Sequence, residues 1–154
     1  MTAQQGRARH WLGSALVAAQ FGLLAALFWR ALARSVGVST LALALAGLSV
    51  LLAAWTLLHN RLGNFNIHPQ PRQNGRLITT GPYRWIRHPM YSAVLLGAAA
   101  LAAAAPGVLA WLLWAMLWGV LLSKALLEER WLAQIYPHYT HYCQRSKRFL
   151  PWLL

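Results

Sequence analysis

Acidic side chains are almost missing from this chain: two of its 154 residues are Asp or Glu, against 14 Lys and Arg, so the formal net charge is +12. In a soluble protein this balance would suggest a nucleic-acid partner. Here the basic residues flank long apolar runs, 58% of the residues are hydrophobic and the mean hydropathy is +0.42. That arrangement is typical of membrane topology. We therefore expect membrane lipids, and no nucleic acid, as partners.

Cysteine is nearly as scarce, since Cys143 is the single one. It excludes an internal disulfide and says little about the redox compartment. His138, His141 and Cys143 could be interpreted as a metal site. Their spacing offers at most three ligands and no second cluster, unlike the specific multi-Cys/His patterns. We expect no metal.

The apolar residues form four stretches, each about long enough to cross a hydrocarbon core of ~30 Å at 1.5 Å per residue. They cover roughly 11–29, 36–58, 90–105 and 107–127. The third is short and is expected to end in a hairpin at Pro106-Gly107. We predict an all-α, polytopic membrane protein of about four transmembrane helices, with helices three and four forming a hairpin.

Positive charges predict the orientation. With four crossings, 12 of the 14 Lys and Arg lie on one side and only Arg30 and Arg34 on the other. Because cytoplasmic loops carry the excess of Lys and Arg, we expect both termini and the functional site on the cytoplasmic side of an inner membrane.

The first apolar run could be mistaken for a signal peptide, because Ala31-Leu32-Ala33 looks like a cleavage site. Its 19 residues exceed a usual signal core of about 7–15, so we predict a retained helix. Small residues recur there at every fourth position: Ser14, Ala18, Gly22 and Ala26. This stripe would let a neighbouring helix approach closely and permits a homodimer, although an Ala-rich chain can produce it by chance.

Polarity divides a single domain into two parts. The two helices within 1–58 carry no intramembrane charge and are interpreted as scaffold. Residues 59–154 form the catalytic part, which begins with a polar connection over 59–89 that is long enough to be functional. Helix four is expected to run on until Pro137 interrupts it. The aromatic and basic segment after it is expected to lie along the cytoplasmic interface.

The two acids, Glu128 and Glu129, are adjacent and follow a membrane helix. Lys124 and Glu128 share a helical face, whereas Glu129 points about 100° away. One interpretation is an ordinary Lys–Glu surface pair. The other is that Glu128 is the anion for a cationic or hydroxyl-bearing ligand.

Arg87 and His88 stand before Pro89, which suits the first turn of a helix. They should lie just outside the N-terminus of helix three, where free N–H groups and the helix dipole favour an anion. Headgroup binding by snorkelling side chains is the alternative. A ligand with an anionic end for this segment and a cationic or ribose end for Glu128 would bridge helices three and four. S-adenosylmethionine has such a shape.

The segment "LITTGPYRWIRHPMY" is followed by "EERWL", "YTHY" and "RFLP". In this order the motifs resemble the isoprenylcysteine carboxyl methyltransferase and phospholipid methyltransferase superfamily of integral membrane enzymes, over about residues 60–152. The resemblance implies S-adenosylmethionine-dependent methyl transfer to a lipophilic acceptor. That acceptor could be an isoprenylcysteine-like carboxylate, a phospholipid amine or a thiol.

The resemblance also implies site residues, carried over position by position. The expected cofactor contacts are His68 or Gln70, Gly75, Arg76, Leu77, Ile78, Tyr83, His88, Pro89, Met90, Tyr91 and Glu128. Lys124 stands where isoprenylcysteine enzymes have an arginine that engages the acceptor, so it is expected to position the acceptor, with Arg87 as a second catalytic residue. Lysine lacks the bidentate fork that suits a carboxylate, which leaves the identity of the acceptor open.

Transfer from a sulfonium needs alignment and exclusion of water more than acid–base chemistry. A carboxylate acceptor needs no base. An amine or thiol would need one, and Glu128, His88 or a substrate phosphate could serve.

Two further interpretations stay open. Trp111, Trp114 and Trp118 share a helical face and could line an acceptor tail or stack on adenine, or simply pack against lipid and protein. The alternative from another class is a non-enzymatic lipid-binding or assembly subunit. Such a subunit would need the cations for headgroups but not the acids.

Overall fold

Five α-helices and one 3-10 turn form the described part of the chain. The structure is a computed structural model and describes residues 3–33, 39–60 and 77–151. The helices are α1 (Ala3–Leu32), α2 (Thr40–Asn60), α3 (Pro89–Ala104), α4 (Val108–Ile135) and α5 (Tyr139–Arg145), with the 3-10 turn at Gly81–Arg84. Within these ranges there is no β-strand, and a lone parallel bridge joins Ile86 to Lys147. The predicted all-α fold is confirmed.

Within the described residues, three helices are long and apolar enough to cross a membrane: Trp11–Leu32 within α1, then α2 and α4. The fourth, α3, is a shorter apolar helix of 16 residues. The chain is therefore an integral membrane protein, and the prediction of about four apolar helices with a short third one is confirmed. Which end of the bundle faces the cytoplasm stays a prediction.

Proline and glycine end the helices where the sequence predicted. The hairpin between α3 and α4 turns at Pro106 and Gly107, and Gly107 has a φ of 153°, a conformation that suits glycine. A Cβ at Gly107 would also lie 3.1 Å from an Arg30 Nη2 atom. At its far end α4 stops at Ile135, two residues before Pro137.

Small side chains let the helices pack closely around an apolar core. α2 packs against α3, and α1 packs against α4. The core cluster consists of Leu27, Leu95, Ala98, Ala102, Ala110, Leu117 and Leu121. Hydrogen bonds between helices supplement it: Ser49 Oγ of α2 donates to the Ala93 carbonyl at 2.7 Å, and Trp114 Nε1 donates to the Leu95 carbonyl at 3.0 Å.

The small-residue stripe of α1 does not face the bundle. Ser14, Ala18, Gly22 and Ala26 are all exposed, and a Cβ at Gly22 would meet no atom within 4 Å. The buried positions of α1 are Gly13, Gln20 and Leu27. The stripe therefore supports no helix contact within the described chain, and the homodimer stays a prediction.

The C-terminal segment that follows Pro137 packs against the rest of the protein, and its position along the cytoplasmic interface stays a prediction. Backbone N–H groups of Arg87 and His88 donate to the carbonyls of Lys147 and Arg148 at 2.7 and 3.0 Å, and the Lys147 N–H donates to the Trp85 carbonyl at 2.8 Å. Tyr139, Ser146 and Phe149 are also buried. These contacts clamp the segment to the chain just before α3.

We expect Gly81→Ala to destabilise the fold, because Gly81 has a φ of 60° and an added Cβ would overlap the ring of His59 at the end of α2. The left-handed conformation alone costs a non-glycine residue about 1 kcal/mol or more. Thermal unfolding in detergent measures the loss. Gly119→Ala is the matched control, since its Cβ would meet nothing within 4 Å and alanine favours helix. An unchanged melting temperature for Gly81→Ala would contradict this account.

Candidate functional site

A cluster of charged side chains lies where α3 begins and α4 leaves the apolar core. His88 is its central residue, because Nδ1 lies 3.3 Å from Glu128 Oε2 and Nε2 lies 3.3 Å from Glu129 Oε1. The imidazole thus bridges both acids of the chain. This juxtaposition brings together the start of α3 and the acids of α4, the two features that the sequence singled out.

Glu129 binds three cationic side chains. Its carboxylate lies 2.9 Å from Arg87 Nε, 3.0 Å from Arg148 Nε and 3.3 Å from His88 Nε2. The Arg87 and Glu129 side chains are only 9% and 12% exposed. Buried charges must be paired to be tolerated. Glu129 therefore holds the start of α3, α4 and the C-terminal segment together.

His88 is best described as an imidazolium. Burial lowers its pKa, but the hydrogen bonds and negative charges of Glu128 and Glu129 outweigh burial, so the net pKa is raised. Both ring nitrogens can donate to carboxylates only in the protonated form. In that state His88 has no free lone pair and cannot take a proton from an acceptor.

Glu128 is the more open of the two acids. Its side chain is 20% exposed, against 12% for Glu129. Its Oε1 accepts a hydrogen bond from the Tyr91 hydroxyl, and the Tyr91 ring stacks on His88 with centroids 5.4 Å apart. A half-buried carboxylate between a tyrosine and an imidazolium can accept hydrogen bonds from a cationic or hydroxyl-bearing ligand.

Tyr83 lies close enough to Glu128 for the carboxylate charge to affect its pKa. Burial raises the pKa of Tyr83 most, and the nearby Tyr142 and Glu128 raise it further. The Tyr142 hydroxyl donates to the Tyr83 carbonyl at 2.6 Å, which ties the 3-10 turn to α5. The tyrosine therefore stays a neutral, positioned aromatic group.

Arg87 is engaged by the protein itself. Besides Glu129, its guanidinium donates to the carbonyl of Cys143 at 3.2 Å and to the carbonyl of Ser146. These bonds describe a residue that positions the C-terminal segment. Its assignment as a catalytic residue stays a prediction.

Lys124 is not a surface residue. It is 1% exposed, its Nζ donates to Gln20 Oε1 of α1 at 2.6 Å, and the same Nζ lies 5.1 Å from the centroid of the Tyr91 ring. The interpretation as an exposed Lys–Glu pair is therefore wrong, because the ammonium points into the bundle.

The predicted site residues fall into three groups. His68, Gln70, Gly75 and Arg76 lie outside the described residues. The structure brings together His88, Tyr91, Glu128 and Tyr83. Lys124 lies one turn before Glu128 on α4, further inside the bundle. Leu77, Ile78 and Met90 are half-buried and Pro89 is buried, and their proposed cofactor contacts stay predictions.

Sequence reasoning missed Glu129, Arg148 and Gln20. Glu129 points away from the Lys124 face, yet in a chain with so few acids a second acid is itself a signal for an ion pair. Gln20 was visible as an amide within an apolar run, which requires a hydrogen-bond partner. Arg148 carried no signal, since its contact depends on how the C-terminal segment folds back.

The remaining candidates contact the protein or lie at its surface, and a role for the tryptophans in lining an acceptor tail or stacking on adenine stays a prediction. Trp114 packs on α3 through its indole hydrogen bond, Trp118 lies 6.0 Å from Phe149 between ring centroids, and Trp111 is 41% exposed. His138 and His141 are exposed. Across residues 3–33, 39–60 and 77–151, no three His, Cys, Asp or Glu side chains form a group that could hold a metal ion.

Comparison with known proteins bears on this geometry. A sequence model for the phospholipid methyltransferase family matches residues 37–139. The chain belongs to the phospholipid methyltransferase family. The match runs from before α2 to the start of α5, so it contains both acids and the residues before α3, whereas α1 lies outside it. The superfamily resemblance in the sequence is confirmed.

A curated relative adds a second comparison. The cobalt-zinc-cadmium resistance protein CzcN of Cupriavidus metallidurans is 32% identical over 146 residues, which cover 94% of this chain and 65% of that protein. At this coverage the similarity includes most of α1. The chain thus spans just under two thirds of the length of this relative.

We expect Glu129→Gln to destabilise the protein far more than Glu128→Gln. Removing the charge of Glu129 takes the paired carboxylate from Arg87 and Arg148, and leaves His88 with Glu128 alone. Breaking such a buried ion pair costs on the order of 3 kcal/mol. Glu128 is more exposed, so its replacement removes less stabilising interaction. Thermal unfolding of both variants in the same detergent measures the difference. Equal losses for the two variants would contradict the role assigned to Glu129.

Stability should also depend on the charge of His88. Because the folded-state pKa of His88 is raised above its ordinary value of 6.5, its contribution is complete below that pH and is lost as pH rises through the raised value. We therefore expect the difference in melting temperature between wild type and His88→Asn to shrink as pH rises. His141→Asn, at an exposed histidine, is the control. A difference that grows with pH would show that His88 is neutral in the folded protein.

Proposed function

We propose that this chain is a membrane-embedded, S-adenosylmethionine-dependent methyltransferase that acts on a lipophilic acceptor. The observation that carries the proposal is the contact of Glu128 with His88 and Tyr91, at the end of the apolar bundle, in a member of the phospholipid methyltransferase family. The acceptor classes remain an isoprenylcysteine-like carboxylate, a phospholipid amine or a thiol.

The described side chains suit S-adenosylmethionine chemically. Its ammonium and ribose hydroxyls need a hydrogen-bond acceptor, which the half-buried carboxylate of Glu128 offers. Its sulfonium is a cation, and the ring of Tyr83 offers a π face to one. The cations Arg87, His88 and Arg148 outnumber the two acids beside them, which favours an anionic group such as its carboxylate. Leu77 and Ile78, with Gly75 and Arg76, are proposed for the adenosine part.

When bound, S-adenosylmethionine would supply an electrophilic methyl group on sulfur. The work of the protein is then to align the reactants and to exclude water. The ion cluster around Glu129 pins the C-terminal segment beside the site. Phe149 of that segment lies 6.1 Å from His88 and 6.0 Å from Trp118 between ring centroids. These rings form an apolar wall next to the charged groups.

Lys124 is proposed to position the acceptor. Its ammonium lies inside the bundle, one helical turn from Glu128 and beside the ring of Tyr91. A polar group at this depth suits an acceptor whose tail lies among the lipids. Since His88 is engaged as an imidazolium, a carboxylate acceptor needs nothing further, whereas an amine or thiol would give its proton to Glu128 or to a group of its own.

The first test is cofactor binding. We expect S-adenosylmethionine and S-adenosylhomocysteine to raise the melting temperature of the purified protein in detergent or lipid, and Glu128→Gln to abolish this rise. A lipid-binding subunit would need only the cations and would not respond to either ligand. No stabilisation of the wild type at millimolar ligand would exclude the cofactor, and with it the proposed enzyme.

The second test separates the acceptor from the cofactor. We expect Lys124→Ala to lower methyl transfer at least about tenfold, because a charged hydrogen-bonding group is lost, while the melting-temperature rise caused by S-adenosylmethionine persists. Turnover and thermal shift are measured on the same preparation. An equal loss of cofactor binding would instead place Lys124 in the cofactor pocket.

A further inference from the structure

Gln20 is a polar side chain that helix α1 places inside the bundle. The buried positions of this helix, Gly13, Gln20 and Leu27, recur every seven residues and so form one face. Gln20 is 8% exposed and lies about 14 Å into the span that begins at Trp11, at 1.5 Å per residue. A buried amide at this depth is costly unless it is hydrogen-bonded.

The partner of this amide is the lysine of the proposed site. Lys124 Nζ donates to Gln20 Oε1 at 2.6 Å and stands 5.1 Å from the centroid of the Tyr91 ring. The Tyr91 hydroxyl in turn donates to Glu128. Gln20 is therefore connected through two side chains to the carboxylate proposed for the cofactor.

A glutamine is well suited to direct an ammonium without binding it too tightly. Lysine has four rotatable side-chain bonds and three donors, so its ammonium has no fixed direction by itself. The amide oxygen of Gln20 comes from a different helix, and it fixes one of those donors. This contact constrains the direction of the Lys124 ammonium.

We propose that Gln20 is a positioning residue for the acceptor, acting through Lys124, so that α1 takes part in the enzyme although it lies outside the matched family region. This inference rests on the proposed function. It also revises the interpretation of the first two helices as pure scaffold. The acceptor would meet a polar site built jointly by α1, α3 and α4.

The contact can be tested without activity, because the chain contains only two lysines, Lys124 and Lys147. Lysine labelled with 15N at Nζ should give two signals, which Lys147→Arg assigns. We expect Gln20→Met, of similar size but without the amide, to shift the Lys124 signal and leave the Lys147 signal in place. Ser49→Ala is the matched control, since it removes a 2.7 Å hydrogen bond between two other helices and should move neither signal.

The kinetic arm uses phosphatidylethanolamine vesicles, a prenylated cysteine and an alkanethiol as acceptors. With whichever acceptor the wild type methylates, Gln20→Met should raise KM for the acceptor and so lower kcat/KM about tenfold, as expected for a lost hydrogen bond to a charged group. KM for S-adenosylmethionine should change less than about twofold. In a protein that already carries Lys124→Met, adding Gln20→Met should cause no further change in the acceptor kinetics. A purely structural role would instead lower the active fraction and leave both KM values unchanged.

Two results separate failure of this inference from failure of the proposed function. In the first, the wild type transfers methyl groups, but Gln20→Met gives the same lysine signals and the same kinetics as Ser49→Ala. This result would overturn the positioning role of Gln20 alone. No transfer by the folded wild type to any of the three acceptors would overturn the proposed function.

Discussion

The ion cluster around Glu129 is the interaction on which the rest of the site depends. One carboxylate, supplied by α4, binds cations from the segment before α3 and from the C-terminal segment. A membrane protein cannot leave these charges unpaired near an apolar core. The cluster therefore decides where three distant parts of the chain meet. Hydrogen bonds between the backbones of 85–88 and 147–148 complete the same junction.

The two adjacent acids, Glu128 and Glu129, have different roles in this arrangement. Glu129 has a structural role, since its oxygens bind three cationic side chains. Glu128, one residue earlier, is more exposed and is bound by a tyrosine and a shared imidazolium. His88 connects the two roles, because one ring nitrogen faces each acid. The ion pairs of Glu129 thus position the side chains of the proposed cofactor site, and they leave Glu128 accessible.

Sequence patterns predicted the fold well because its determinants are local. Apolar run lengths, the Pro106-Gly107 turn and Pro137 predicted the helices and their ends. The order of motifs predicted that His88, Tyr91 and Glu128 would border one site. The patterns could not predict that Arg148 returns to Glu129, or that Lys124 points to Gln20, because these contacts join residues far apart in sequence. Treating Lys124 as an exposed residue also failed, since helical spacing says which residues share a face but not which face is buried.

The central claim is that this bundle end transfers a methyl group from S-adenosylmethionine to a lipophilic acceptor. The most direct measurement incubates the purified protein in lipid with methyl-labelled S-adenosylmethionine, a membrane lipid extract and a panel of prenylcysteine and thiol compounds, and then counts label in the organic phase. The account predicts label with the wild type and none with Glu128→Gln. An organic phase without label from folded wild-type protein would contradict it.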